Sequence, residues 1–133
     1  MIQKYIKGAN EVIVKSEDGK VLLTQSEIDC KCDRATCTHT LFTADNYDSF
    51  KMTRLDYGSP IYITSGYRCN QHNKAIGGVP RSNHALGDGL DLVPSDGDLD
   101  FLEDVARDHY EFVLRYETFI HCDNRLNMKI HHV

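Results

Sequence analysis

The chain has 133 residues, with 15 Lys and Arg against 20 Asp and Glu, for a formal charge of −5. That length suits one compact domain and excludes two, while an apolar fraction of 41% excludes a disordered tail. An acidic, Trp-free composition with no Lys/Arg cluster argues against nucleic acid and anionic membranes, and no apolar run approaches the ~18 residues that cross a bilayer.

Residues 1–7 lack the apolar stretch and small-residue cleavage site of a signal peptide. Residues 11–14 and 20–24 are short aliphatic runs joined through Glu17-Asp18-Gly19, and Asp-Gly favours a hairpin turn. The polar, cysteine-rich stretch 26–39 reads as irregular, with one short turn of helix. Asp45 is the expected N-cap of a helix over 46–57, with Tyr47, Phe50 and Leu55 on one side and Gly58 and Pro60 ending it. Residues 61–64 read as a strand, broken by Ser65-Gly66-Tyr67-Arg68. A short helix is expected over 70–76, ended by Gly77-Gly78, and a strand over 90–93, closed by Pro94. Asp98 suits the cap of a helix over 99–110, with Leu102, Val105 and Ala106 facing inward. Residues 112–114 and 119–123 form a closing hairpin through Tyr116-Glu117. His72 and His109 read as ordinary helix residues, and His131 and His132 as solvent-exposed. The mixture predicts one α+β domain over 1–133, built on an antiparallel sheet with helices on one side. Within it, 1–40 is the hairpin and cysteine-rich segment and 41–133 the core.

Five cysteines cannot all pair within one chain. Without a secretion signal, metal or plain burial outranks disulfides. Cys30, Cys32 and Cys37, with His39 nearby, are spaced loosely enough for a structural zinc ion. A disulfide and unbonded thiols remain alternatives, because the Cys-x-Cys opening is tighter than the usual gap between zinc ligands.

Side chains alternate faces along a strand. If Leu90 and Leu92 face the core, Asp91 faces the open side of the sheet. By the same rule Phe119, His121 and Asp123 share one face. Glycines 87 and 89 let the preceding loop fold His84 back towards Asp91. Two imidazoles and one carboxylate suit zinc with a fourth position left open, which is the catalytic arrangement. The same three residues also read as a loop histidine, a satisfied sheet histidine and an edge aspartate.

The segment Ser65-Gly66-Tyr67-Arg68-Cys69-Asn70-Gln71-His72-Asn73, then Ile76-Gly77-Gly78, then Ser82-Asn83-His84-Ala85-Leu86-Gly87-Asp88-Gly89-Leu90-Asp91-Leu92 resembles the zinc D-Ala-D-Ala carboxypeptidase / L-alanyl-D-glutamate endopeptidase family. The closing Phe119-Ile120-His121-Cys122-Asp123 resembles that family's final His-containing strand, notably its short phage-type branch. The resemblance covers residues 61–123 and implies the hedgehog/D-Ala-D-Ala peptidase fold. It makes His84, Asp91 and His121 the zinc ligands, Arg68 the cation that meets a substrate carboxylate or carbonyl, and Ser82 a hydrogen-bonding residue of the site or the substrate. The early Cys30-Lys31-Cys32 is similar to cysteine-containing segments of some members.

One departure concerns the general base. Better-known members place Glu or Asp three residues before the last His ligand, where this chain has Thr118. Threonine is no base at neutral pH. The candidates are Glu117, which a bulge or turn would have to re-aim, and Asp123, on the face of His121; another group, or no base at all, is the remaining alternative.

The resemblance implies a zinc peptidase that cuts peptidoglycan stem peptides, as an L-Ala-D-Glu endopeptidase or a D-Ala-D-Ala carboxypeptidase. The phage-type lysin form is expected: monomeric, made in the cytoplasm without a signal peptide, and acting on the cell wall or periplasm after holin release or from a virion. The rival is a non-catalytic zinc-containing module that binds the wall or serves in the virion, a reading that Thr118 favours.

Overall fold

A computed structural model of the chain describes residues 1–80 and 82–125. His131 and His132 lie outside the described residues. The order of elements is β1 (Ile2–Ile6), β2 (Val12–Lys15), β3 (Val21–Thr24), α1 (Gln25–Ile28), β4 (His39–Thr43), α2 (Ala44–Tyr57), β5 (Ile61–Ser65), α3 (Asn70–Ala75), β6 (Leu90–Pro94), α4 (Leu99–Arg107), β7 (Phe112–Arg115) and β8 (Ile120–Asp123).

The main sheet has four antiparallel strands in the order β5-β6-β8-β7. Leu90, Leu92, Ile120, Cys122 and Val113 are buried on its inner face, in one cluster with Phe50 of α2 and Leu102, Val105 and Ala106 of α4. Burying a side chain of that size stabilises the fold by about 1.5–3 kcal/mol, and this shared face fixes which side of β6 and β8 turns outward. As expected, Asp98 caps α4 by accepting from the Phe101 amide at 3.1 Å. The β2–β3 hairpin forms as predicted, with an irregular register.

Three features depart from the sequence reading. First, β1 pairs with β4, from Ile2 opposite Thr43 to Ile6 opposite His39; neither strand was expected. Second, Thr43 caps α2 in place of Asp45, its hydroxyl accepting from the Asn46 amide at 3.0 Å. Third, α2 buries Asn46, Ser49, Phe50, Thr53 and Tyr57, whereas Leu55 is exposed. Its inward stripe is largely polar and is hydrogen-bonded both to distant elements and within the helix: Tyr110 donates to Asn46 Oδ1 at 2.8 Å and Thr53 donates to the Ser49 carbonyl at 2.7 Å. α4 ends at Arg107, so His109 follows the helix, with its Nε2 2.5 Å from Asp56 Oδ2. No helix among the described residues is long and apolar enough to cross a membrane.

Asp88 ties the parts together. Its carboxylate accepts from the Thr43 hydroxyl at 3.0 Å, the Asn124 amide at 2.8 Å and Asn83 Nδ2 at 3.3 Å, and it is fully buried. Burial outweighs these hydrogen bonds and pushes its pKa up to about 6. Ionisation is therefore harder in the folded chain than in the unfolded one, where it occurs near 3.9. The stability contributed by neutral Asp88 is full below about pH 4 and lost as pH rises through about 6, roughly 2–3 kcal/mol in all. The Tm of wild type relative to Asp88→Asn, followed from pH 4 to 7, is expected to fall across that window. A difference that stays flat would contradict the assignment.

Candidate metal centre

The register of the sheet brings two of the expected ligands together. Asp91 sits directly opposite His121 across the β6–β8 pair, and both point away from the apolar face that holds Leu90, Leu92 and Ile120. The third, His84, lies in the loop before β6. That loop is folded by a run of backbone bonds, with the Asp88 and Gly89 amides both donating to the Asn83 carbonyl at 2.9 and 3.0 Å. The Ser82 hydroxyl accepts from the His84 amide at 3.2 Å.

Asp91 Oδ1 is 3.1 Å from His84 Nε2 and 3.0 Å from His121 Nδ1. One donor atom from each residue lies within 4.8 Å of the others. Around tetrahedral zinc with bonds of about 2.0–2.1 Å, two ligand atoms stand roughly 3.3–3.4 Å apart, so the trio is close to the required spacing. The remaining imidazole nitrogens fit as well. His84 Nδ1 is 2.8 Å from the Gly66 carbonyl, and His121 Nε2 is 2.5 Å from Asp123 Oδ2. Metal-binding imidazoles characteristically donate their second N–H to a carbonyl or carboxylate, which fixes tautomer and ring orientation. Both do so here, and the donor set suits a divalent zinc ion.

The electrostatics agree. Burial works against the Asp91 carboxylate, but hydrogen bonds from His121 and His84 hold its pKa down at about 2. Burial lowers the pKa of His121, while Asp123 and Asp91 outweigh it and raise it to about 9. Two carboxylates thus favour positive charge at this spot, and a cation at Nδ1 competes with that proton.

The motif around Arg68 has a mechanical explanation. Its Nε donates to Ser65 Oγ at 3.0 Å and its Nη1 to Asn73 Oδ1 at 3.3 Å, leaving Nη2 at 3.5 Å from Asp91 Oδ2. Asn73 in turn donates to the Val79 carbonyl at 2.8 Å. A Cβ on Gly78 would come within 2.1 Å of Asn73 Oδ1 and push that side chain off Arg68, so glycine there keeps Asn73 in place. Ser65, Asn73 and Gly78 therefore aim one guanidinium.

These groups open onto a cleft of about 530 Å³, whose lining includes Arg68, Ser82, His84, Asp91, His121 and Arg125. Tyr116 and Phe119 also line it and stack at 4.5 Å. Glu117 lies between them in the exposed β7–β8 turn, outside the lining. Asp123 is fully buried, and besides His121 it takes two hydrogen bonds from the Arg125 side chain and one from its amide. Among the described residues Asp91 is the one carboxylate in the lining.

Arg125 escaped the sequence reading. Its guanidinium stacks 3.5 Å from the centre of the Phe112 ring, and its position two residues after Asp123 was the available signal. Cys69 escaped as well: it joins Cys30, Cys32 and Cys37, and His39 does not. The His39 ring bonds instead to the Thr38 hydroxyl.

A protein-family model described as Peptidase M15 matches residues 21–123, most of the chain. No curated protein matches it.

Proposed function

The chain belongs to the peptidase M15 family, whose members depend on zinc, and from that premise we propose that it hydrolyses peptidoglycan stem peptides at a bond involving a D-amino acid. The observation that carries the proposal is the pairing of His84 with Gly66 and of His121 with Asp123 on either side of Asp91. His84, Asp91 and His121 would hold the zinc. A zinc ion there supplies Lewis acidity, polarising a carbonyl and acidifying water towards a pKa of about 7.

The other residues bind, orient and move the proton. Arg68, pre-aimed by Ser65 and Asn73, presents a planar donor fork that suits a stem-peptide carboxylate. Arg125 places a second cation in the same cleft. Ser82 holds the His84 turn. Asp123, buried and fully engaged, keeps His121 in its tautomer and has no lone pair facing the cleft. Glu117, in a turn whose neighbours Tyr116 and Phe119 line the cleft, is the residue we assign to take the proton and deliver it to the leaving amine. The closing His121-x-Asp123 supports the phage-type lysin form, acting on the wall.

A second reading rests on the same lining: with Asp91 its sole described carboxylate, the fold would serve as a zinc-bearing wall-binding or virion module without turnover. Mass spectra of purified muropeptides, digested with and without a chelator, separate the two. Chelator-sensitive shortening of the stem peptide is expected, and the mass lost identifies the bond. One bound zinc in the His84 site with intact muropeptides would overturn the peptidase reading in favour of the module.

A further inference from the structure

We propose that Cys30, Cys32, Cys37 and Cys69 form a second, closed zinc site that clamps the N-terminal segment onto the loop carrying Arg68. One sulfur from each lies within 4.8 Å of the others, and the Cys32 and Cys69 sulfurs are 3.7 Å apart. Four thiolates around zinc with Zn–S bonds of about 2.3 Å stand roughly 3.8 Å from one another. A disulfide needs about 2.05 Å and takes its sulfurs in pairs, and all four cysteines are free.

The four come from separate places in the chain. Cys30 and Cys32 follow α1, Cys37 follows a turn closed by its amide on the Arg34 carbonyl at 3.1 Å, and Cys69 caps α3. Two amides point at the sulfurs: Cys69 N–H donates to Cys30 Sγ and His72 N–H to Cys69 Sγ, each at 3.4 Å. Lys7 Nζ, anchored on the Cys32 carbonyl at 2.8 Å, lies 3.7 Å from Cys32 Sγ and offsets thiolate charge. Thiolates select soft or borderline metals over magnesium and calcium. Four protein ligands leave no open corner, so the site is structural.

Its position gives it a task. The Tyr67 amide donates to the Ile28 carbonyl at 2.8 Å, and a Cβ on Gly66 would meet Ile28 Cα at 2.6 Å. The segments before Cys30 and before Cys69 thus run in contact, and zinc fastens them just beyond that contact. On its other side the same loop offers the Gly66 carbonyl to His84, and Arg68 is the residue before Cys69. The thiolate site holds the loop from which both the metal centre and the substrate cation are positioned.

The experiment separates this site from the His/Asp centre. The full chain is expected to carry two zinc ions, and the double variant His84→Ala/His121→Ala to keep one. X-ray absorption at the zinc edge of that variant should show a shell of four sulfurs at about 2.3 Å. Adding Cys69→Ser should remove that zinc. Should the triple variant fail to fold, thiol titration of the folded double variant serves instead: the four thiols stay blocked until a chelator is added, and Tm then drops by roughly 10 °C or more. A double variant without zinc, a shell of nitrogen and oxygen only, four freely reactive thiols or two disulfides would each overturn the proposal.

Discussion

His84→Ala and His121→Ala are each expected to give a folded protein that no longer holds zinc at the proposed centre, with stem-peptide hydrolysis falling by roughly 1,000-fold or more. Two remaining ligands rarely retain zinc, and the Lewis acidity lost is worth several kcal/mol of transition-state stabilisation, at 1.36 kcal/mol for each tenfold in rate. The fold survives because neither imidazole belongs to the apolar cluster of Leu90, Leu92 and Ile120. Zinc content by atomic absorption, read beside turnover, checks both halves. Loss of activity with the full zinc complement would move the metal elsewhere.

Glu117→Gln is expected to keep zinc and lose roughly 100-fold or more in kcat, the scale of a missing general base. Asp123→Asn is expected to behave in the opposite manner: zinc affinity falls about 10–100-fold, and excess zinc restores much of the rate. The contrast follows from placement. Glu117 is exposed in the turn beside the cleft and takes no part in the hydrogen bonds that orient His84, Asp91 and His121, so its loss is expected to leave metal binding intact. Asp123 is sealed behind His121, with its oxygens taken by that ring and by Arg125, so its effect must pass through the ligand. Unchanged turnover in Glu117→Gln, measured on muropeptides, would remove that residue from the chemistry.

Much of the candidate metal centre was legible because strand alternation is a local rule. Once Leu90 and Leu92 are buried, Asp91 has to face outward, and the same holds for His121 beside Ile120. What alternation cannot provide is register, and the pairing of Asp91 with His121 across two strands had to come from the fold. The family resemblance supplied the role proposed for Arg68 but not the reason for its neighbours. Ser65, Asn73 and Gly78 make sense only when their contacts with its guanidinium, and with one another, are visible.

The misses were long-range or polar. Nothing near residues 2–6 announces a strand, since its partner lies more than thirty residues on, at 39–43. α2 buries a polar stripe whose hydrogen bonds go to Gly87, Tyr110 and Asn124, so an apolar periodicity does not find it. Cys69 stands 37 residues beyond Cys32, outside any short cysteine pattern, which is why His39 looked like the natural fourth ligand. Thr118 raised doubt about the base because, on a regular strand, Glu117 would point opposite to it and only a bulge or the expected Tyr116-Glu117 turn could re-aim it. Both residues lie in a turn, where strand alternation does not govern their direction.

Anomalous scattering at the zinc edge, from crystals of the wild-type chain grown with zinc, tests the central claim most directly. The account predicts a peak bonded at about 2.0–2.2 Å to His84 Nε2, His121 Nδ1 and an Asp91 oxygen, with its fourth position facing the cleft beside Arg68. No peak among these three residues, or a peak closed off by a fourth protein ligand, would contradict it.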